Sequence, residues 1–157
     1  MLNIVIIAMG KIREGFYRDA FNEYLKRLSP YARVKVEELK TEPFKNEGDK
    51  AKSRTAEAAK ILNLLNNYAE SEIFILDERG EQPDSLILAV TLKKYQSRKI
   101  VFVVGGALGL AEEILSDKKY HFLSLSKMTL PHELARVVLA EQLYRSVCLN
   151  RGKDYHY

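Results

Sequence analysis

One cysteine, no tryptophan and only four prolines stand in a chain of 157 residues. A single thiol, Cys148, excludes an internal disulfide framework and fits a reducing compartment. Its apolar neighbours mark it as a packed thiol rather than a nucleophile. Long hydrophobic runs are missing as well. The longest, Ile4 to Met9, is six residues, far short of the roughly 20 that a membrane-spanning helix needs. It has neither a basic stretch before it nor a small-residue cleavage site after it. It is therefore expected to be a strand and not an export signal, with the cytoplasm as the expected location. Phosphate-gripping motifs are absent too. There is no G-K-[ST], and the first expected strand ends in Met9-Gly10-Lys11 rather than G-x-G-x-x-G. His121, His132 and His156 are too scattered for ligand spacing, so no metal is expected.

What is present is globular. Hydrophobic residues make up 46% and charged residues 29%, and the length suits one domain spanning 1–157. The formal charge of +4 is mild but uneven. Residues 11–33 hold Lys11, Arg13, Arg18, Lys26, Arg27 and Arg33 against Glu14, Asp19 and Glu23. Residues 145–157 hold Arg145, Arg151 and Lys153 against Asp154. Tyrosines accompany both basic stretches, a mixture that suits RNA, where phosphates take charge and bases take flat partners.

Hydrophobic periodicity alternates strands with helices. Strands are expected at Leu2–Met9, Arg33–Leu39, Glu72–Leu76, Ile100–Val104 and, more weakly, His121–Leu125. Helices are expected at Gly15–Leu28, Ala51–Tyr68, from Asp84 or Ser85 to Tyr95, briefly from Ala111, and from His132 to Asn150. Phe16, Ala20, Phe21, Tyr24, Leu25 and Leu28 form the apolar side of the first helix. Thr41–Lys50 reads as a flexible loop, and Asp77–Gly80 as a turn. The pattern is that of an α/β fold, a mostly parallel sheet with helices on both faces.

The Ile100–Val104 run enters Gly105, Gly106 and Gly109. A strand buried on both faces, followed by residues without Cβ, marks a place where backbone approaches a ligand. Leu76–Gly80 and Leu125–Pro131 also follow strands. Parallel strands would bring all three loops to one sheet edge as a cleft. In Thr129-Leu-Pro-His-Glu-Leu-Ala-Arg136, Pro131 suits the first helical position. The helix dipole there favours a neutral His132, with Arg136 one turn on to meet phosphate. The tail, Arg151 to Tyr157, carries Tyr155 and His156 and could order on a partner surface.

Val104-Gly-Gly-Ala-Leu-Gly-Leu110, Leu123 to Arg136, Val-Leu-Ala-Glu-Gln-Leu-Tyr-Arg145 and the closing Tyr155-His156 together resemble the ribosomal RNA large subunit methyltransferase H family, across essentially the whole chain. Ile-Ala-Met-Gly-Lys11 and Glu23-Tyr-Leu-Lys-Arg27 share the likeness. Leu108 departs from relatives that often carry a polar or acidic residue there. The resemblance implies a SPOUT-class α/β fold with a trefoil knot and a homodimer binding S-adenosylmethionine in the knot. It implies methylation of N3 of a pseudouridine in 23S rRNA on assembled ribosomes, without a membrane or a metal. Cofactor contacts carried over fall on Leu76, Gly105, Leu125, Ser126, Lys127, Met128, Thr129 and Leu130. A general base is expected at His156 or His132, with Tyr155 stacking on the base and Arg136 stabilising charge. Two alternatives stay open: a noncatalytic ribosome-binding dimer that holds the cofactor, and a small-molecule nucleotide-binding enzyme.

Overall fold

The computed structural model describes residues 1–155. Five parallel strands form one sheet: β1 (Leu2–Met9), β2 (Ala32–Leu39), β3 (Glu72–Glu81), β4 (Lys99–Val104) and β5 (His121–Leu123), in the order β2-β1-β4-β3-β5. Between them run α1 (Gly15–Leu28), α2 (Glu47–Leu65), α3 (Ser85–Lys94) and α4 (Glu112–Leu115), and α5 (His132–Asn150) closes the order. β1 and β4 lie at the centre, and their β-branched runs alternate between two cores. Ile4, Ile6, Ala8, Ile100, Phe102 and Val104 pack under α1, α3 and α5. Val5, Ile7, Met9, Val101 and Val103 pack under α2 and α4. The chain therefore leaves β1 toward one face and β4 toward the other. That makes the β1/β4 boundary a switch point, where open α/β sheets bind ligands at the strands' carboxyl ends.

Several expectations needed correction. Helix α2 begins at Glu47, inside the stretch read as a loop, because Asn46 caps it by accepting from the Asp49 N–H at 3.0 Å. Phe16 is 64% exposed, off the buried side of α1. Pro131 is the N-cap and not the first helical residue: its ψ of 138° is extended, and its carbonyl accepts from the Ala135 N–H at 2.9 Å. Strand β3 does not turn out at Asp77. It continues to Glu81, with a register shift between Leu76 and Glu81 against β5. The Glu81 carbonyl takes the Ser124 N–H at 2.8 Å.

The far end of β3 passes so close to β5 that only glycine fits. A Cβ on Gly80 would stand 2.6 Å from the carbonyl carbon of Phe122 and 2.7 Å from the Leu123 nitrogen. Both are backbone atoms with no rotamer to yield. Gly80→Ala is expected to cost about 1–3 kcal/mol, as overpacking does, and to lower the melting temperature by roughly 2–12 °C. Scanning calorimetry reads this directly.

Candidate functional site

Two of the three expected loops, the glycine loop after β4 and the segment after β5, meet the extended end of β3 at the carboxyl edge of the sheet. They enclose a cavity of about 780 Å³, within the range of small-molecule sites. Its floor is the glycine loop after β4, and its sides are the extension of β3 and the segment from Leu123 to Pro131. Leu76, Leu110, Leu115, Leu125 and Leu130 give it apolar walls. The segment is pinned to β3 at both ends. Besides the Ser124–Glu81 bond, the Thr129 hydroxyl donates to Glu78 Oε2 at 2.7 Å. Within it, Ser126 Oγ accepts from the Met128 N–H at 2.9 Å. Gly105 is tightly placed: a Cβ there would lie 3.0 Å from Leu110 Cγ, so that side chain would have to give way. Gly109 has φ +70°, a conformation that glycine adopts without strain.

The charges lining this cavity are few. Arg79 is occupied by Asp77, at 2.9 Å. Burial pushes the Asp77 carboxyl up, but the Arg79 guanidinium and amide pull it further down, to a net lowering. Arg54 also lines the cavity. A lining of leucine, glycine and backbone amide fits a flat, uncharged heterocycle better than a string of phosphates.

Leu76, Gly105, Leu125, Ser126, Met128, Thr129 and Leu130 all line the cavity, while Lys127 is exposed and lies outside its lining. His132 lines it as well. Arg136 does not join them. It is 1% exposed and turns inward, donating to the Gly10 carbonyl at 3.1 Å and pairing with Glu38, with Phe21 under its guanidinium. The expected phosphate contact is replaced by an internal tie between α5, β1 and β2. Tyr155 also lies elsewhere. Its ring packs edge-on against Tyr144 at 4.9 Å, with the Arg145 guanidinium 4.8 Å from its centre. Burial first, then a hydrogen bond with Tyr24, pushes its phenol up to about 12. His156 lies outside the described residues. Cys148 is buried, a packed thiol.

Sequence reasoning missed Glu133. Helix α1 has no side-chain cap of its own at Glu14. Glu133, buried at the start of α5, instead anchors the entry to α1 from a distance, accepting from the Arg13 and Glu14 N–H groups at 3.0 and 3.1 Å. Burial pushes this carboxyl up, but the two amides and Arg136 more than offset it, so it lies below its ordinary value near 4.5. A depressed carboxyl stabilises the fold above its unfolded value and ceases to as pH falls through its folded one. Glu133→Ala is expected to lose about 1–2 kcal/mol at pH 7. The gap to the unmodified protein should close as pH falls below about 4.5. Urea titrations at several pH values test it. A gap that persists in acid would assign the loss to packing.

Among the described residues, no helix is long and apolar enough to cross a membrane, and no group of three or more His, Cys, Asp or Glu could hold a metal ion. A family model described as "Predicted SPOUT methyltransferase" matches residues 2–156. The ribosomal RNA large subunit methyltransferase H of Bacillus thuringiensis subsp. konkukian is 40% identical over 159 residues, covering 99% of each chain. The protein of that name from Bacillus anthracis is 39% identical over the same length and coverage. A solved structure, "a probable methylase family protein from Haemophilus influenzae Rd KW20", aligns with a TM-score of 0.55. It is 16% identical and covers 98% of this chain and 68% of that one, a likeness of fold alone.

Proposed function

This chain belongs to the SPOUT methyltransferase family, among the ribosomal RNA large subunit methyltransferases H, and from that premise we propose that it methylates N3 of a pseudouridine in 23S rRNA on the assembled ribosome, with S-adenosylmethionine as methyl donor. The observation that carries this reading is the leucine-walled cavity at the sheet edge, with His132 at its rim. Its shape and apolar lining suit an adenosine. The cramped Gly105 keeps the floor free of side chains, and no phosphate-binding charge cluster is needed for this donor.

When bound, the cofactor supplies an electrophilic methyl on a sulfonium. The chain must orient that methyl, exclude water and take a proton. N3 of a uracil ring carries a weakly acidic hydrogen, which has to leave for the nitrogen lone pair to attack. His132 stands where it can accept that proton: its side chain is 33% exposed, on the first turn of α5. Arg136 becomes a positioning residue, fixing α5 to the ends of β1 and β2. The trefoil knot belongs to the same proposal, supported by the chain's membership of the SPOUT family.

A homodimer is part of the same proposal, supported by the position of the tail. Tyr155 lies past the C-terminal end of α5 in sequence but packs back on Tyr144 and Arg145, roughly 18–20 Å along the helix from His132. Tyr155 is thus away from the cleft of its own chain. A second copy would bring the tail to a cleft, and the exposed Leu86, Ile87 and Val90 of α3 are apolar surface for such a contact. The cytoplasm, where ribosomes are, is the proposed location.

Incubation with labelled S-adenosylmethionine tests the reading. Label should enter 23S rRNA of ribosomes lacking the modification, and much less should enter free rRNA. Label that reaches no RNA, with cofactor bound, would leave the noncatalytic dimer. Label on a small molecule instead would make the cleft that of another enzyme.

A further inference from the structure

A second, larger cavity of about 1180 Å³ opens over the ends of β1 and β2 and touches the first at Ala107, Leu108 and His132. Four carboxylates line it, and three have full duties. Glu38 pairs with Arg136, Glu42 with Lys60, and Glu133 takes two backbone amides. Glu57 is different. It is 3% exposed; its Oε1 accepts from the Glu42 N–H at 3.0 Å, and its Oε2 is buried without a donor among the described residues. Buried acceptors left unpartnered are rare, and each calls for a cause. Gly106 borders it: a Cβ there would stand 3.9 Å from Oε2, so the orphan oxygen lies beside the glycine loop, near the junction of the two cavities. Lys11, Arg13 and Lys40 also line the cavity, and among the described residues they form no ion pair. Phe44, 42% exposed, flanks them.

We propose that this second cavity receives the target nucleoside and that Glu57 Oε2 accepts the one ring N–H that distinguishes pseudouridine from uridine. The assignment rests on the function proposed above. A uracil ring joined to ribose through carbon keeps two N–H groups. N3 is the methyl acceptor, and N1–H is spare. Uridine turns a C–H to the same place. With N1–H held by Glu57, the neighbouring N3 faces the junction where His132 stands. The unpaired cations meet flanking phosphates, and Phe44 offers a ring face to the extruded base. A site whose buried acceptor needs a donor discriminates against the analogue that lacks it.

The test compares two ribosome preparations, one with pseudouridine at the target position and one with uridine, by kcat/KM. The unmodified protein should favour pseudouridine about tenfold to a hundredfold, the range of a hydrogen bond to a charged group. In Glu57→Gln the side-chain oxygen stays with the Glu42 amide, so an NH₂ replaces Oε2 and meets N1–H donor to donor. The ratio should fall toward one through loss of the pseudouridine rate. Cofactor affinity by calorimetry and the melting temperature should hold. Lys40→Ala should lower both rates alike and keep the ratio. An unmodified protein that treats the two ribosomes within about twofold overturns the assignment without any variant. So does a folded Glu57→Gln protein with an unchanged ratio. A protein that binds cofactor yet methylates neither ribosome overturns the function reading itself, and this assignment with it.

Discussion

His132→Ala is expected to slow methyl transfer about 10²–10⁴-fold, the worth of a positioned general base, while S-adenosylmethionine still binds. Three residues line both cavities, and of Ala107, Leu108 and His132 only the histidine can move a proton. It sits on α5, held from below by the Arg136 tie to Gly10 and Glu38 and by Glu133 on the start of α1. Those contacts belong to neighbouring residues, so removing the imidazole leaves the helix in place. The cofactor cleft keeps its leucines and its glycine floor. Single-turnover rates with enzyme in excess isolate the chemical step, and calorimetry gives the cofactor affinity separately. If His132→Ala runs at full rate while deletion of residues 155–157 abolishes transfer, the proton goes to the tail and His156 becomes the base.

The loops at the sheet edge were legible because their signals are local. A β-branched run that ends in three glycines reports a buried strand and a bare backbone turn within eleven residues. The same holds for His132 to Asn150, where the helical period starts just after a proline. What was hidden depends on partners far away in sequence. Arg136 follows His132 by one turn and looks like a phosphate ligand, until Gly10 and Glu38 arrive from β1 and β2 and take its donors. Asp77 to Glu81 has the composition of a turn, yet β5 and Ser124 hold it extended. Glu133 is in sequence only a first-turn residue of α5, whereas in the fold it holds the chain entering α1. For the second cavity a signal did exist. Ser53, Glu57, Ile61 and Leu65 recur at a spacing of four, and all are buried on α2. An acid on an apolar stripe is costly to bury, so its presence there pointed to a duty beyond solvation.

Chains with complementary damage should rescue each other. Gly105→Arg blocks the cofactor cleft, since even a Cβ at Gly105 meets Leu110 at 3.0 Å. Deletion of residues 155–157 removes the tail. Each variant alone is expected to be nearly inactive. If the tail of one copy completes the cleft of the other, a dimer with one chain of each kind holds one intact site, built from the undamaged cleft and the undamaged tail. Mixed dimers isolated by two different affinity tags should then show about half the activity of the unmodified dimer, as counting sites in a two-fold assembly requires. The control pairs an unmodified chain with one carrying both changes. There, sites shared between chains are all broken and activity should vanish, whereas a tail serving its own cleft would leave about half. The roughly 18–20 Å of α5 between His132 and the Tyr144–Arg145 seat of Tyr155 favours the shared arrangement. A control dimer that keeps half its activity would place the tail in its own chain's cleft, and would require it to leave Tyr144 and Arg145 during turnover.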